Sequence, residues 1–335
     1  MPSAKNAKLS YEAGQALVAM VALTDSGDHL KFNSADSLWS DKSGYDSDVK
    51  PNGILTGLVG TPAAAGTNDL VDVSGGTLNL NGVVTTVAAG ADKTCLRGAT
   101  TDICRTNSIT INAVGAITVV SGTAAPTVSE TRGAAGGPPF IPVDSVELFQ
   151  VRFTSTTAAA VLASEIKAIP NTHREQATFP TYDPRFIRVT NGVLGVAGID
   201  FTSAPMLSHT GSLAKKVYAQ YYTPAFAEIP KASDYKRSAE SQSVSSTPYY
   251  GGASAAVSVS LGQGGFKALL NDGITDAILA EEGNKIWFKF QPDRLKTPHI
   301  LDQGYLGLKE QFPPGGDIMA DFTIGAGSAG SRVSA

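Results

Sequence analysis

The sequence predicts a mainly β protein, and three observations favour this class. Only 17% of the 335 residues are charged and 42% are hydrophobic, whereas an average domain has about 25% charged residues. Glycine and proline are abundant, with 35 and 18 residues, as a chain with many turns requires. Several segments alternate apolar and polar residues, for example DIMADFTI at 317–324, which is the period of a half-buried strand. The composition excludes a coiled coil, a collagen and a strongly charged disordered chain.

The N-terminal part predicts two strands followed by a loop. Residues 14–24 form the first expected strand, and a second short strand containing Leu30 and Phe32 follows a TDSGD turn. Residues 37–53 hold few apolar side chains, so we expect a long exposed loop there. No apolar stretch approaches the ~20 residues of a membrane span, and we expect no association with a membrane.

Two similar hairpins are predicted next. TLNLNGVVTTVAAG (77–90) and SITINAVGAITVVSG (108–122) each predict a strand, a glycine-centred turn and a second strand. The segment between Cys95 and Cys104 joins them into a small antiparallel unit. The two cysteines could face each other across a hairpin, or they could be free thiols in a reducing cytosol.

A glycine- and proline-rich linker at 127–143 separates this unit from the next strand. Residues 145–155 predict that strand, with apolar side chains on both faces and therefore burial on both. Residues 157–170 predict a short helix that ends at a proline.

The C-terminal part is richer in aromatic residues and predicts most of the remaining sheet. Expected strands lie at 216–226, 254–261, 285–291, 299–310 and 317–324. Residues 274–283 predict a helix with Ile274, Ile278 and Leu279 as its apolar stripe and Gly283 as its C-terminal cap. The polar stretch 231–250 is predicted to be a loop, and residues 325–335 a flexible tail.

The charge pattern argues against tight binding of nucleic acid. The formal net charge is −4, and the sequence has no run of lysine or arginine. A protein that grips DNA normally presents a basic face to the phosphates.

No motif in the sequence carries recognisable chemistry. The glycines of GQGG (262–265) lack the Lys-Ser/Thr of a phosphate-binding loop, and Asp46 and Asp48 lack the glycine and glutamate of a calcium loop. Glu281 and Glu282 are adjacent and would point apart, unlike the paired carboxylates of a glycosidase. The four histidines lie far apart in the sequence: His29, His173, His209 and His299. We therefore predict no enzymatic activity, no catalytic residue, no metal site and no cofactor.

Whole segments carry a resemblance that single motifs do not. Residues 204–324 resemble the major tail tube protein of long-tailed, siphovirus-type bacteriophages. The resemblance rests on VYAQYYTPAFAEIPKASDYKRSAESQSVSSTPYYGG (217–252), SLGQGGFKALLNDGITDAILAEEGNKIWFKFQPDR (260–294) and GYLGLKEQFPPGGDIMADFTIGAG (304–327). These segments place a strand, a helix, two or three strands and a last strand in the order of that family.

The resemblance implies a tail-tube β-sandwich with one flanking helix, which forms a β-barrel with neighbouring subunits, plus an inserted small β domain. It implies a structural virion protein that polymerises as stacked, hexameric rings into the phage tail tube, through which DNA passes into the host. The implied partners are other copies of the chain and the tape measure, tail terminator and baseplate proteins, while DNA crosses the lumen without tight binding. The implied location is the virion tail, after synthesis in the bacterial cytoplasm.

The domain assignment and the candidate residues follow from this interpretation. We assign 1–53 and 177–324 to the tail tube core, 54–176 to an inserted or decoration-type β module, and 325–335 to the tail. Asp317 and Asp321 lie opposite the expected buried face and are candidate lumen-facing acids, because acids repel the DNA backbone. The candidate residues for contacts between stacked rings lie in the two polar loops: Trp39, Tyr45, Asp48, Tyr235, Lys236 and Arg237.

Two other functional classes compete with the tail tube. A capsid decoration protein or an adhesin-like binding protein would suit the serine-, threonine- and glycine-rich module, and it should form trimers or monomers rather than tubes. A glycan hydrolase on a β scaffold would need two carboxylates about 5–10 Å apart across a cleft.

Overall fold

The computed structural model describes residues 6–190, 193–250 and 252–334. It is mainly β, with 52% strand, which confirms the predicted class. Numbered in chain order, the strands are β1 (Lys8–Ala22), β2 (Thr24–Asp25), β3 (Lys31–Asn33), β4 (Asp48–Pro51), β5 (Gly53–Gly57), β6 (Gly60–Pro62), β7 (Leu70–Val73), β8 (Gly76–Leu80), β9 (Val83–Val87), β10 (Gly90–Thr94), β11 (Arg105–Ile111), β12 (Ile117–Ser121), β13 (Val146–Phe153), β14 (Ile166–Lys167), β15 (Tyr182–Thr190), β16 (Val193–Phe201), β17 (Val217–Glu228), β18 (Ala232–Lys236), β19 (Ala239–Tyr249), β20 (Gly252–Gly262), β21 (Gly264–Leu269), β22 (Lys285–Gln291), β23 (His299–Gln311), β24 (Met319–Ala326) and β25 (Ser331–Val333). Within the described residues these strands form six sheets, and none of the six closes into a barrel.

The largest sheet has nine strands in the order β18-β21-β24-β23-β22-β1-β17-β4, with β25 paired to β23 beyond the end of β24. This sheet curls around its own apolar side chains. Tyr235 on the edge strand β18 stacks on Phe290 of β22 with ring centroids 4.4 Å apart, although three strands lie between β18 and β22 in the sheet. Phe266, Phe288 and Phe322 lie inside the curl and are at most 3% exposed. We call this cluster the large-sheet core.

A second core lies at the other end of the same sheet. Val217 and Tyr221 of β17 pack there with Ile199 of β16, Phe32 of β3 and Trp39. We call this cluster the Trp39 core. The long strands β1 and β17, which pair along most of their length, contribute side chains to both this cluster and the large-sheet core. One pair of strands thus joins the two cores.

A third core is built from residues 54–168. It is enclosed by the sheets β5-β8-β9, β10-β7-β6 and β12-β11-β13-β14. Both predicted hairpins form, as β8–β9 and β11–β12. Strand β13 is buried on both faces, as its sequence indicates. The assignment of 54–176 as an inserted module stays a prediction, as do its boundaries with 1–53, 177–324 and 325–335. Residues 1–5, 191–192, 251 and 335 of those ranges lie outside the described residues.

Both predicted helices are wrong. Residues 157–170 hold only a 3-10 turn at Ala163–Glu165, because Ala159 accepts a hydrogen bond from the backbone of Asp69 and the chain there runs extended beside another segment. Residues 274–283 hold only a 3-10 turn at Ala277–Glu281. Ile274 is 80% exposed, so the predicted apolar stripe does not form a buried face.

Three segments predicted to be irregular are ordered. In the segment 37–53, residues Asp48–Pro51 form the edge strand β4, and Trp39, which lies before this strand, is only 1% exposed. Residues 231–250 form β18 and β19 in place of a loop. The expected tail contains β25, which pairs with His299–Leu301 of β23. Strands β4, β18 and β25 pair with strands that do not follow or precede them directly, so local composition carried little signal of the pairing. Strand β19 pairs with the next strand, β20, but has no apolar period of its own.

Candidate assembly surface

The hairpin of β19 and β20 is largely exposed where its side chains are described. Eleven residue pairs hold it together, from Ala239↔Gly262 to Tyr249↔Gly252. It forms a two-stranded sheet of its own and pairs with no other described strand. At ~3.3 Å per residue it is about 36 Å long. A two-stranded hairpin of this kind is at best marginally stable in water, so its free edges and faces need a partner.

The two faces of this long hairpin differ in chemistry. On one face the hydroxyls of Ser241 and Ser260 lie 2.8 Å apart, and those of Ser243 and Ser258 lie 2.6 Å apart. We call this row of four serines the serine face.

The opposite face carries exposed valines beside the polar side chains of Glu240 and Gln242. Val257 and Val259 are 62% and 59% exposed, and Gln242 is the cross-strand partner of Val259. We call this the valine face. Exposed β-branched side chains in a row are typical of a surface that another sheet or subunit covers.

The base of the long hairpin is fixed firmly to the large sheet. The backbone N–H of Ser238 donates to the Asp302 carboxylate over 2.7 Å, and the Ser238 carbonyl accepts from the backbone of Gly330 over 2.8 Å. On the other strand, the side chain of Gln263 accepts from the backbone N–H of Ala326 over 2.6 Å. Asp302 is only 1% exposed, and burial raises its pKa. The hairpin therefore projects from a buried anchor.

A second hairpin, β15–β16, also extends beyond its sheet. Its strands pair from Tyr182↔Phe201 to Thr190↔Val193, but β3 supports only residues 198–200 at its base. Strand β16 contacts β25, and Gly330, next to β25, binds the base of the long hairpin. The C-terminal strand β25 therefore contacts one hairpin and directly follows the residue that binds the base of the other.

Trp39, one of the residues predicted to join stacked rings, is part of a core. Its indole ring stacks on Tyr221 with centroids 4.6 Å apart and donates to the Ser34 hydroxyl over 3.1 Å. Trp287 donates from its own indole to the Trp39 carbonyl over 2.8 Å. The expectation that Trp39 belongs to an exposed loop is therefore wrong, because its neighbours enclose it.

The other five candidates divide between buried and exposed positions. Tyr235 is half-buried against Phe290, and Arg237 donates to the Gly330 carbonyl at the base of the long hairpin. Tyr45 packs edge-on against Tyr222 with centroids 5.0 Å apart. Asp48 and Lys236 are exposed. Of the six candidates, these two have side chains that a neighbouring molecule could contact.

Of the two candidate lumen acids, Asp321 lies on the outer face of the large sheet and Asp317 lies in the segment before its strand. Asp317 is exposed in the turn before β24. Asp321 lies 3.8 Å from the ammonium of Lys267, and its cross-strand partner in β23 is Lys309. Basic neighbours thus offset the charge of Asp321, and this part of the sheet is not an acidic surface.

A buried charged cluster links residues 54–176 to the rest of the chain. Glu147 and Glu175 have no solvent exposure. Glu147 pairs with Arg132, while Glu175 accepts from the Ser208 hydroxyl and, over 2.9 Å, from the backbone of Glu147. Burial raises the pKa of Glu147 to about 7 and lowers the pKa of the fully buried Lys215 to about 8. Because no solvent reaches these carboxylates, the cluster holds structure together rather than meeting a substrate.

Other candidate chemistry in the described residues is sparse. Cys95 and Cys104 are buried free thiols, and burial raises the pKa of Cys95 to about 12. Across residues 6–190, 193–250 and 252–334, no group of three or more histidine, cysteine, aspartate or glutamate side chains could hold a metal ion. The helical turns of that same part are all too short and polar to cross a membrane.

The chain was also compared with known proteins. No protein-family model, no curated protein and no solved structure matches it.

Proposed function

We propose that this chain is a structural subunit that polymerises as stacked rings into the tail tube of a long-tailed bacteriophage. The long hairpin β19–β20 is the observation that carries the proposal. It is anchored at its base and unpaired along both outer edges in the described chain. Free strand edges are a liability unless something covers them, and identical copies arranged in a ring cover one another's edges.

Ring closure explains why a single copy leaves the hairpin unpaired. A heterologous contact that repeats around a rotation axis closes into a ring, and a closed barrel has no edges. In the lone subunit the large sheet curls without closing. The barrel of the assembly would be made by several subunits together.

Strand number sets the width of such a barrel. Strands lie ~4.8 Å apart and tilt by ~40° in barrels. Six copies of one hairpin supply 12 strands and a backbone diameter of about 24 Å, which side chains narrow too far for a DNA duplex. If β15–β16 contributes too, six copies supply 24 strands and a diameter of about 48 Å. The position of β25, which contacts one hairpin and directly follows the residue that binds the base of the other, supports a barrel with four strands from each subunit.

The remaining parts of the proposal follow from the tail tube role. DNA would cross the lumen without tight binding. The partners at the ends and inside the tube would be the tape measure, tail terminator and baseplate proteins. The segment 54–176 would sit outside the barrel as an inserted module, because its own core is complete without the hairpins.

Electron microscopy of the purified chain tests the proposal. We expect rings or hollow tubes, whereas a decoration or adhesin-like protein would give trimers or monomers. A variant in which residues 240–261 are replaced by two glycines should remain folded and monomeric, because Ser238 and Gly264 already lie side by side at the hairpin base.

A matched control separates the hairpin from other exposed turns. Val114 is 86% exposed in the turn between β11 and β12, and Val114→Asp should assemble like the native chain. Tubes formed by the hairpin deletion, or monomers formed by the native chain at high concentration, would refute the proposal.

A further inference from the structure

The two faces of the long hairpin can be assigned to the two sides of the tube wall. We propose that the serine face of β19–β20 lines the bore as an uncharged hydroxyl surface against which DNA slides, and that the valine face packs outward against the surrounding subunits. This inference rests on the proposed tail tube function. It places the lumen surface on this hairpin in place of Asp317 and Asp321.

The first argument is apolar burial. Val257 and Val259 expose 62% and 59% of their surface in the single chain, and burying a valine fully is favourable by about 1.5–3 kcal/mol. The bore of a DNA conduit is filled with water and cannot provide that burial. The outer side of the barrel wall, where the bodies of the subunits lie, can provide it.

The second argument is charge. A lysine or arginine that meets a phosphate releases counterions and binds the DNA, which would act as friction on a moving duplex. The described side chains of the serine face, Ser241, Ser243, Ser258 and Ser260, are neutral. The outer face of the large sheet, by contrast, carries Lys267 and Lys309 beside Asp321, so it would hold DNA more strongly.

The third argument is hydrogen bonding. Each of the four serine hydroxyls already bonds to a hydroxyl on the facing strand, over 2.8 Å and 2.6 Å. Within each pair one hydroxyl donates and the other accepts, so one O–H per pair stays free to bond water. These uncharged donors hold a phosphate less strongly than the ammonium or guanidinium groups of lysine and arginine do. These properties suit a surface that must stay hydrated without gripping its cargo.

Cysteine labelling tests the assignment with two neighbouring residues on opposite faces. Ser260→Cys and Val259→Cys both lie at exposed positions of the single chain, so each should react with a small maleimide before assembly. Microscopy first establishes that tubes form. In tubes we expect Ser260→Cys to keep reacting, because a small reagent diffuses into the bore. We expect Val259→Cys to react at least about tenfold more slowly in tubes than before assembly.

The controls make each outcome decisive. The native chain, whose Cys95 and Cys104 are buried, gives the background, and Ser258→Cys with Val257→Cys provides a second pair if the first disturbs folding. Failure of the native chain to form tubes would count against the proposed function itself. Tubes in which the valine face reacts as fast as the serine face, or in which the serine face is protected, would overturn the assignment alone.

Discussion

Replacement of Trp39 by alanine should destabilise the chain strongly, although this residue lies in a segment that is polar in sequence. Trp39 is 1% exposed and stacks on Tyr221. A buried tryptophan removes about 200 Å² from water, which at about 25 cal/mol per Å² is about 5 kcal/mol. Measured losses for tryptophan-to-alanine changes in cores are about 3–5 kcal/mol. The backbone carbonyl that accepts from Trp287 survives the change, so we expect a loss of about 4 kcal/mol.

Urea unfolding followed by far-ultraviolet circular dichroism measures this loss without depending on tryptophan fluorescence. Trp39→Phe is the matched control: it keeps a ring against Tyr221 but loses the hydrogen bond to Ser34, and we expect it to cost about 1–2 kcal/mol. A surface side chain would change stability by only about 0.5 kcal/mol. A loss of less than about 1 kcal/mol for Trp39→Ala would therefore contradict the enclosed position.

Three further predictions concern the buried cluster, a glycine and the hairpin anchor. Burial raises the pKa of Glu147 from 4.5 to about 7, so between these pH values the native chain holds a proton that the unfolded chain releases, and the free energy of unfolding should fall as pH rises from about 4.5 to 7. Glu147→Gln should remove this fall, which is at most about 3 kcal/mol in the free energy of unfolding measured by urea titration. An unchanged pH dependence in the variant would contradict the prediction. Gly53→Ala places a Cβ 2.5 Å from backbone atoms and should cost about 1–3 kcal/mol, whereas the control Gly14→Ala, 3.9 Å from its nearest neighbour, should be nearly neutral; equal effects would refute the packing argument. Asp302→Ala removes the acceptor of Ser238 and should speed hydrogen exchange at the hairpin base, and unchanged exchange would show that the anchor does not depend on this carboxylate.

The strands with strong local patterns could be predicted from sequence. Strand β24 alternates cleanly, and Phe322 and Ile324 are buried as the pattern indicates. The turn between β8 and β9 was visible as Asn81-Gly82, and both residues adopt positive φ, as a two-residue hairpin turn requires. In these cases the pattern of the segment and its tertiary setting agree.

Two of the failures share a physical cause, which is that partners distant in sequence determined the structure. Ala159 is extended because it pairs with a segment about 90 residues away, and Trp39 is buried because Tyr221 covers it. Strand β19 alternates serine with other small or polar residues, so it has no apolar period of its own. Only its pairing with β20 shows that the serines of both strands share one face.

The contacts between subunits predicted for 231–250 stay a prediction. In the structure this segment forms β18 and the first strand of the long hairpin. The individual candidate Tyr235 packs on Phe290 within the large sheet, and Arg237 binds Gly330 at the base of that hairpin. No sequence pattern distinguishes a residue that anchors an exposed strand from one that lies on it.

The sharing of β1 and β17 between two cores has a mechanical consequence. A force that pulls the large-sheet core away from the Trp39 core acts along the length of these paired strands. Each of the two strands reaches both cores, so its covalent backbone carries the load and the hydrogen bonds between the strands do not have to open one by one. Such an arrangement resists tension well, so a filament built from these subunits should stretch and bend at the contacts between copies before any single copy gives way.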